Sequence, residues 1–394
     1  MNDLLNYSTF SPGQPVFFQG ESRQEFYGLC QGRFAKVKLT NTAPDIPMTK
    51  RLASAVLLEI IDQPGQLFGE ISALLKKPHE FSVFSLDHSE ATTIPASEES
   101  LQKVVASRPE IGLKTCISLA RTLHATLDQF AKLVECEDSL RRLQTTSAQA
   151  LISVTKEIKQ IGSGTFSTIT SVMEFMHMHE AFKQAEHFAQ KYRSKPSLSV
   201  RNAVIPPPVL PEKTQQFTSG TIICRKGLPG DRLFIITQGV VEVFLSNEHR
   251  IQIAQPGSII GEIAALENIG REQCNIRRTA NVVCITPVSA IVIELGTIHE
   301  FFDSHPSILS NILFALTTRM DETMQLVSEV RTAIRELLNS GLRHFLEAHH
   351  GVATRLDVLR KKHPALERPF HFCAHQSRSI YNAFATALEQ INPN

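Results

Sequence analysis

The sequence predicts an α+β chain built from two copies of a small all-β unit, joined and followed by helical segments. Three observations predict it. Between residues 214 and 304, short β-branched and aromatic runs are punctuated by glycines at 220, 227, 230, 239 and 257, the pattern of brief strands closed by tight turns. The same order of features occurs earlier, so the chain repeats one unit. From about 98 to 193 no strand-like run occurs, and apolar residues recur instead at three- and four-residue steps, the mark of amphipathic helices.

Taken in order, residues 1–106 form the first β unit. Its markers are Phe10 and Gly13, Phe18 to Gly20, the run Glu25 to Val37 around Gly28 and Gly32, Pro64-Gly65, and Phe68-Gly69-Glu70 leading into Ala73-Leu74. A longer hairpin region, Asn41 to Arg51, distinguishes this copy. Residues 107–195 are a helical connector. One stripe runs through Ile117, Leu119, Ala120, Leu123, Leu127, Phe130 and Val134, and a second through Leu151, Val154, Ile158 and Ile161 to a break at Gly162-Ser163-Gly164. A further helix carries Ile169, Val172, Met173 and Met176. The methionines at 173, 176 and 178 fit core positions better than a partner groove.

Pro196 and Pro206 to Pro208 mark residues 196–213 as an extended linker. The second β unit, 214–304, runs from Phe217 through Leu233 to Phe244 and Pro256-Gly257. Residues 305–394 begin with a helix from His305-Pro306 toward Met324 and continue as helices.

The second unit contains a cassette suited to a cyclic phosphodiester. A short helix opening at Gly261-Glu262-Ile263-Ala264 offers unpaired backbone N–H groups and a positive dipole end to an anion. Gly261 permits close approach of the backbone. Arg278 supplies a planar fork of donors for the charge, Thr279 a hydroxyl, and Glu262 an acceptor for a ribose 2′-OH and a brace for the arginine.

With its turn glycines and the following Arg278-Thr279-Ala280, this unit resembles the cyclic-nucleotide-binding domain, the jelly-roll-like β-roll of bacterial cyclic-AMP receptor proteins and of cyclic-nucleotide-dependent kinases. The resemblance covers roughly residues 214–325. It implies two cyclic-nucleotide-binding-type β-rolls and a site made by Gly261, Glu262, Ile263, Ala264, Arg278 and Thr279. The helix after the β-roll is implied as a lid over the base, with Thr323 at the position that meets an adenine edge. The arginine usually follows the cassette glutamate by about ten residues; here Arg278 follows by 16 and Arg271 by 9. Arg278 is preferred, because Glu272-Gln273-Cys274 after Arg271 does not lead into a strand.

The first copy departs from the family at its cassette. Pro78-His79-Glu80 stands where proline, arginine and a small residue belong, so His79 replaces the phosphate arginine and Glu80 brings a like charge toward the anion. This copy is expected not to hold a nucleotide.

The remainder narrows the class. A chain of 394 residues can bury two or three cores, and a formal net charge of +1 makes no case for nucleic acid or acidic membranes. Seven dispersed cysteines form no metal spacing and suit reduced thiols. The N-terminus lacks a leader pattern and no run reaches membrane-spanning length, so a cytoplasmic protein is expected. His371, Cys373 and His375, like His177 and His179, complete no zinc pattern.

No nucleophile elbow, Walker loop or kinase signature occurs. The expectation is therefore a non-enzymatic sensor of a cyclic mononucleotide, without metal, acting on a protein partner the sequence does not name. Thr323 suits cyclic AMP, whereas Thr279 would suit a syn guanine of cyclic GMP; cyclic AMP is preferred. The alternative is a scaffold whose domains no longer bind ligand. Residues 113–161 could form a homodimer seam, or pack on the protein's own β units and each other. DNA binding is the least expected reading: residues 325–394 hold nine Lys and Arg against six Asp and Glu, and no wing follows a faint recognition-like helix at 377–389.

Overall fold

The computed structural model describes residues 5–39, 54–162, 166–189, 214–244, 250–253 and 256–391. The hairpin region 41–51, the linker 196–213 and most of the glycine-serine break at 162–164 lie outside the described residues.

Each β unit contributes eight strands among the described residues, and the second repeats the first strand for strand. In the first, β1 (Asn6–Phe10), β8 (Ser89–Pro95), β3 (Glu25–Gln31) and β6 (Leu67–Phe68) form one sheet in that order. The second sheet runs β2 (Pro15–Phe17), β7 (Ser82–Ser85), β4 (Phe34–Lys38), β5 (Val56–Ile61). In the second unit the orders are β9 (Thr214–Phe217), β16 (Val288–Glu294), β11 (Arg232–Gln238), β14 (Ile259–Ile260), and β10 (Ile222–Cys224), β15 (Asn281–Cys284), β12 (Val241–Phe244), β13 (Arg250–Ile253). Every pairing is antiparallel, and βn of the first roll corresponds to βn+8 of the second.

Two irregularities are shared, whereas the β4–β5 shift between Lys36 and Val37 has no counterpart in β12–β13. The β3–β8 register shifts between Leu29 and Gln31, and the β11–β16 register between Ile236 and Gln238. The β2–β7 pair shifts between Pro15 and Phe17, and β10–β15 between Ile222 and Cys224. Each bulge bends its strand, which lets a small two-sheet roll close on itself.

The helices repeat too. A short helix, α1 (Glu70–Leu74), follows β6, and α2 (Glu98–Ser107) follows β8, leading into α3 (Pro109–Gly162). After the connector helices α4 (Phe166–Met178) and α5 (Glu180–Phe188), the second roll gives α6 (Glu262–Asn268), α7 (Ile298–Ser304) and α8 (Pro306–Glu336). A π turn at Leu337–Leu342 then leads into α9 (Arg343–Arg360), and α10 (Glu367–Ile391) follows.

The chain divides into two compact units. The first comprises Met1–Ala125 with Ser197–Thr323, and so holds both β-rolls and the opening turns of α3 and α8. The second comprises Thr126–Pro196 with Met324–Asn394 and is helical among its described residues. There Val154, Ile158, Ile169, Val172 and Met176 bury against Val352, Leu356 and Cys373, so these stripes pack on the protein's own helices. Met178 is exposed.

No helix of the described residues is long and apolar enough to cross a membrane, and no cluster of metal-ligating side chains occurs among them. Residues 377–389 lie within α10 rather than forming a separate helix.

Candidate functional site

Gly261 takes φ 73°, a left-handed conformation natural only to glycine, and turns β14 directly into α6. It has a second reason to lack a side chain. A Cβ here would lie 2.2 Å from Nη1 of Arg278 and 3.3 Å from Sγ of Cys224.

Arg278 is buried, and its guanidinium lies against the cassette. Nη1 donates to the Gly261 carbonyl at 2.7 Å, and Nη2 donates to the Arg232 carbonyl at 2.7 Å, with Asp231 Oδ1 at 3.4 Å. Burial raises the Asp231 pKa, but the Arg232 hydrogen bond and the Arg232 and Arg278 charges outweigh it and hold the carboxyl below its ordinary value. Burial pushes the Cys224 thiol up to about 11, partly opposed by Arg278. Cys224 is thus a neutral thiol at the edge of the site.

The long spacing between Glu262 and Arg278 is absorbed by Asn268, which sequence reasoning missed. Its amide donates to the carbonyls of Gly230 at 3.1 Å and Ile276 at 2.9 Å, and its Oδ1 accepts from the Ile276 N–H at 2.9 Å. The loop is thereby folded back, and a Pro229–Arg277 bridge and the Arg278 N–H to Leu228 carbonyl bond fix the next residues. Arg271 takes another course: it is exposed, and its Nε donates to the Glu267 carbonyl at the end of α6.

Glu262, Ile263 and Ala264 are all buried. Glu262 does not brace Arg278, contrary to the expectation from sequence; the arginine is held by backbone carbonyls and Asp231. The partner of Glu262 is Arg319 on α8, with which it forms an ion pair of 3 % and 13 % exposed side chains. Nothing in the sequence singled out Arg319, although it lies four residues before Thr323. Thr323 is fully buried, with its hydroxyl donating to the Arg319 carbonyl at 2.7 Å. Thr279 is half-buried just beyond Arg278.

A cavity of about 250 Å³ lies beside this assembly, lined by Arg278, Cys224, Asp231, Arg232, Phe217 and Phe234 among others. Gly261 and Glu262 are outside its lining, so Arg278 is the element common to cavity and cassette.

The first roll has the same frame with different contents. Gly69 takes φ 80° before α1, and a Cβ on it would meet Phe17 Cε1 at 3.1 Å and His79 Cε1 at 3.3 Å. His79 therefore occupies the place of Arg278, and Phe17 that of Cys224. The His79 ring stacks on Phe17 at 3.8 Å between centroids and 16° between planes.

It is 1 % exposed, and neither ring nitrogen has a hydrogen-bond partner among the described residues. Burial, with a smaller contribution from the Arg23 charge, pushes its pKa down to about 4. Glu80 is exposed; what closes this site is the Phe17–His79 stack, not the like charge that the sequence suggested. Glu70 is buried and accepts a hydrogen bond from Ser118 of α3 at 2.5 Å.

Residues 7–107 and 214–305 each match the cyclic nucleotide-binding domain. A CRP-like cAMP-activated global transcriptional regulator of Mycobacterium tuberculosis is 30 % identical over 125 residues, covering 32 % of this chain and 50 % of that protein. Glutaminase 2 of Bradyrhizobium diazoefficiens is 26 % identical over 159 residues, covering 39 % of this chain and 22 % of that one. The chain thus spans half or less of these relatives. Among solved structures, a cAMP-bound PfPKA-R fragment matches at 12 % identity with a TM-score of 0.26, covering 85 % of this chain and 81 % of that one. The cAMP-bound regulatory domain of Toxoplasma gondii PKA matches at 15 % identity with a TM-score of 0.22, covering 78 % and 84 %.

Proposed function

From the premise that this chain carries two tandem domains of the cyclic nucleotide-binding family, we propose that it is a non-enzymatic regulatory protein whose second domain senses a cyclic mononucleotide. The carrying observation is Arg278, a buried permanent cation set against Gly261 and opening onto a cavity. A buried guanidinium satisfied mostly by carbonyls retains its full charge. A cyclic phosphate would exchange those neutral acceptors for an anionic one.

Binding would proceed by exchange. The phosphate takes Arg278 and the N–H groups at the start of α6, and the ribose 2′-OH donates to Glu262. Arg319 must then yield part of its hold on Glu262, so α8 re-seats over the base, with Thr323 beside the adenine edge. Two lid positions with different affinity for ligand are what a population shift requires. Because α8 runs on past Thr323 into the helical residues of the second unit, its movement supplies a route to a protein partner.

Cyclic AMP is the proposed ligand over cyclic GMP; Thr323 and the M. tuberculosis relative described as cAMP-activated support it. A second reading, a scaffold whose two β-rolls no longer bind ligand, is favoured by one observation: Arg278 and Glu262 already have protein partners. Isothermal titration of the full chain with cyclic AMP, then cyclic GMP, separates the two. One site per chain is expected; no heat and no thermal shift with either ligand would leave the scaffold reading standing.

A further inference from the structure

The two helices that leave the β-rolls each touch both cassettes. On α3, Ser118 donates to Glu70 beside the first cassette glycine, and six residues on, His124 Nδ1 lies 2.6 Å from Oε1 of Glu267 in α6, the cassette helix of the other roll. On α8, Arg319 pairs with Glu262 of its own cassette. Two residues on, Asp321 pairs with Lys77, just past α1 of the other roll. The helices meet where Gly112 and Cys116 of α3 face Leu309 of α8: a Cβ on Gly112 would lie 3.1 Å from Leu309 Cδ2, and Cys116 Sγ is 4.0 Å from the Leu309 carbonyl. All these groups belong to the first compact unit.

The pattern is reciprocal, but its two halves are not equal. Lys77 and Asp321 are about half exposed, and such a pair contributes little by itself. Glu267 has a 6 % exposed side chain, so withdrawing His124 would strand a buried carboxylate. The stronger restraint therefore runs from the first roll's helix to the second roll's cassette. Its anchor, Ser118 on Glu70, stands in the roll whose cassette is closed by its own side chains.

We infer that the first β-roll is a built-in clasp: through α3 it holds α6 of the second roll in the latched arrangement, in which Arg319 covers Glu262, and so opposes nucleotide entry there. The opposition to nucleotide rests on the reading of the second roll as a cyclic-nucleotide site; the hold on α6 does not.

The test is hydrogen exchange of the full chain without ligand, followed by titration with cyclic AMP. His124→Ala should speed exchange at residues 262–268 by about tenfold and lower the Kd for cyclic AMP about three- to tenfold, with His124→Asn, which retains a donor, lying between it and the wild type. Lys77→Asp should act in the same direction by about twofold or less, and the swap Lys77→Asp with Asp321→Lys should restore the wild-type value.

Unchanged exchange at 262–268 in both His124→Ala and Lys77→Asp overturns the clasp. So does weaker cyclic AMP binding in His124→Ala with its fold intact by circular dichroism, because the contact would then assist the ligand. If the wild type binds no cyclic nucleotide while His124→Ala still speeds exchange, the clasp on α6 stands and the sensing reading fails.

Discussion

The two β-rolls have one topology and different interiors, and the difference falls at equivalent register positions. Phe17 pairs opposite Val83, and Cys224 opposite Val282. Tyr27 faces Phe68, and Phe234 faces Ile260. Phe34 faces Ser85, and Val241 faces Cys284. At three of these places the first roll has a phenylalanine where the second has cysteine, isoleucine or valine. The first interior is thus packed with rings, Phe34 lying 5.1 Å and Tyr27 5.5 Å from Phe68 between centroids. The frame is set by turn glycines and by the apolar face of each strand. Room for a ligand is set by a few side-chain volumes within it.

The most forceful way to break this comparison is to remove the ring that fills the first cassette. Phe17 is fully buried at the centre of its cluster, so Phe17→Ala should lower stability by about 3–5 kcal/mol, read from denaturant unfolding. It should create no nucleotide site, because His79 remains a neutral imidazole rather than a cation. Cyclic AMP binding at two sites per chain would show that volume alone separates the rolls.

The matching change in the second roll removes charge rather than volume. Arg278→Ala should cost cyclic AMP binding about 1.5–3 kcal/mol, roughly tenfold to more than a hundredfold in Kd by titration calorimetry. The α6 turn should persist, since Gly261 keeps its own φ. An unchanged Kd would mean that the guanidinium serves only to tie Gly261 to Arg232, and the loss of a cation at His79 would then not be what separates the two rolls.

A third effect is smaller and depends on pH. His79 has a folded pKa near 4 against an ordinary value of 6.5, so the unfolded chain binds more protons between those values. Stability is therefore full above about pH 6.5 and declines as pH falls toward 4, by about 1.4 kcal/mol at pH 5.5. His79→Leu should flatten this part of the melting profile. Cyclic AMP binding by His79→Leu at neutral pH should match the wild type, because the first roll contributes no phosphate contact.

Much of this was legible in the sequence, for physical reasons. Glycines at 69 and 261 open the short cassette helices, and the β-branched and aromatic run from Leu233 to Phe244 announces strands; both are local signals. The replacement of arginine by His79 was also local, since it stands at an ordinary distance from Glu70. The partners of the cassette carboxylates were not legible. Arg319 reaches Glu262 across 57 positions, and His124 reaches Glu267 across 143; spacing carries no information at those separations. Glu80 misled because a charge next to a site residue in sequence need not face the site. His79 and Glu80 lie just before β7, and Glu80 is exposed while His79 is buried.

The finest discrimination concerns the loop between Glu262 and Arg278, the length of which has no counterpart in the first roll. By spacing from the glutamate, Arg271 corresponds to His79; by contact with the cassette glycine, Arg278 does. Arg271 lies at the end of α6, where its Nε meets the Glu267 carbonyl at 2.7 Å. A cation there stabilises the negative end of a helix by only a few tenths of a kcal/mol when exposed, about twofold or less in any linked Kd. Arg271→Ala should therefore leave cyclic AMP affinity within about twofold of the wild type. A larger loss than in Arg278→Ala would restore the spacing argument, and would mean that the Asn268 fold-back opens on binding to deliver Arg271 to the phosphate.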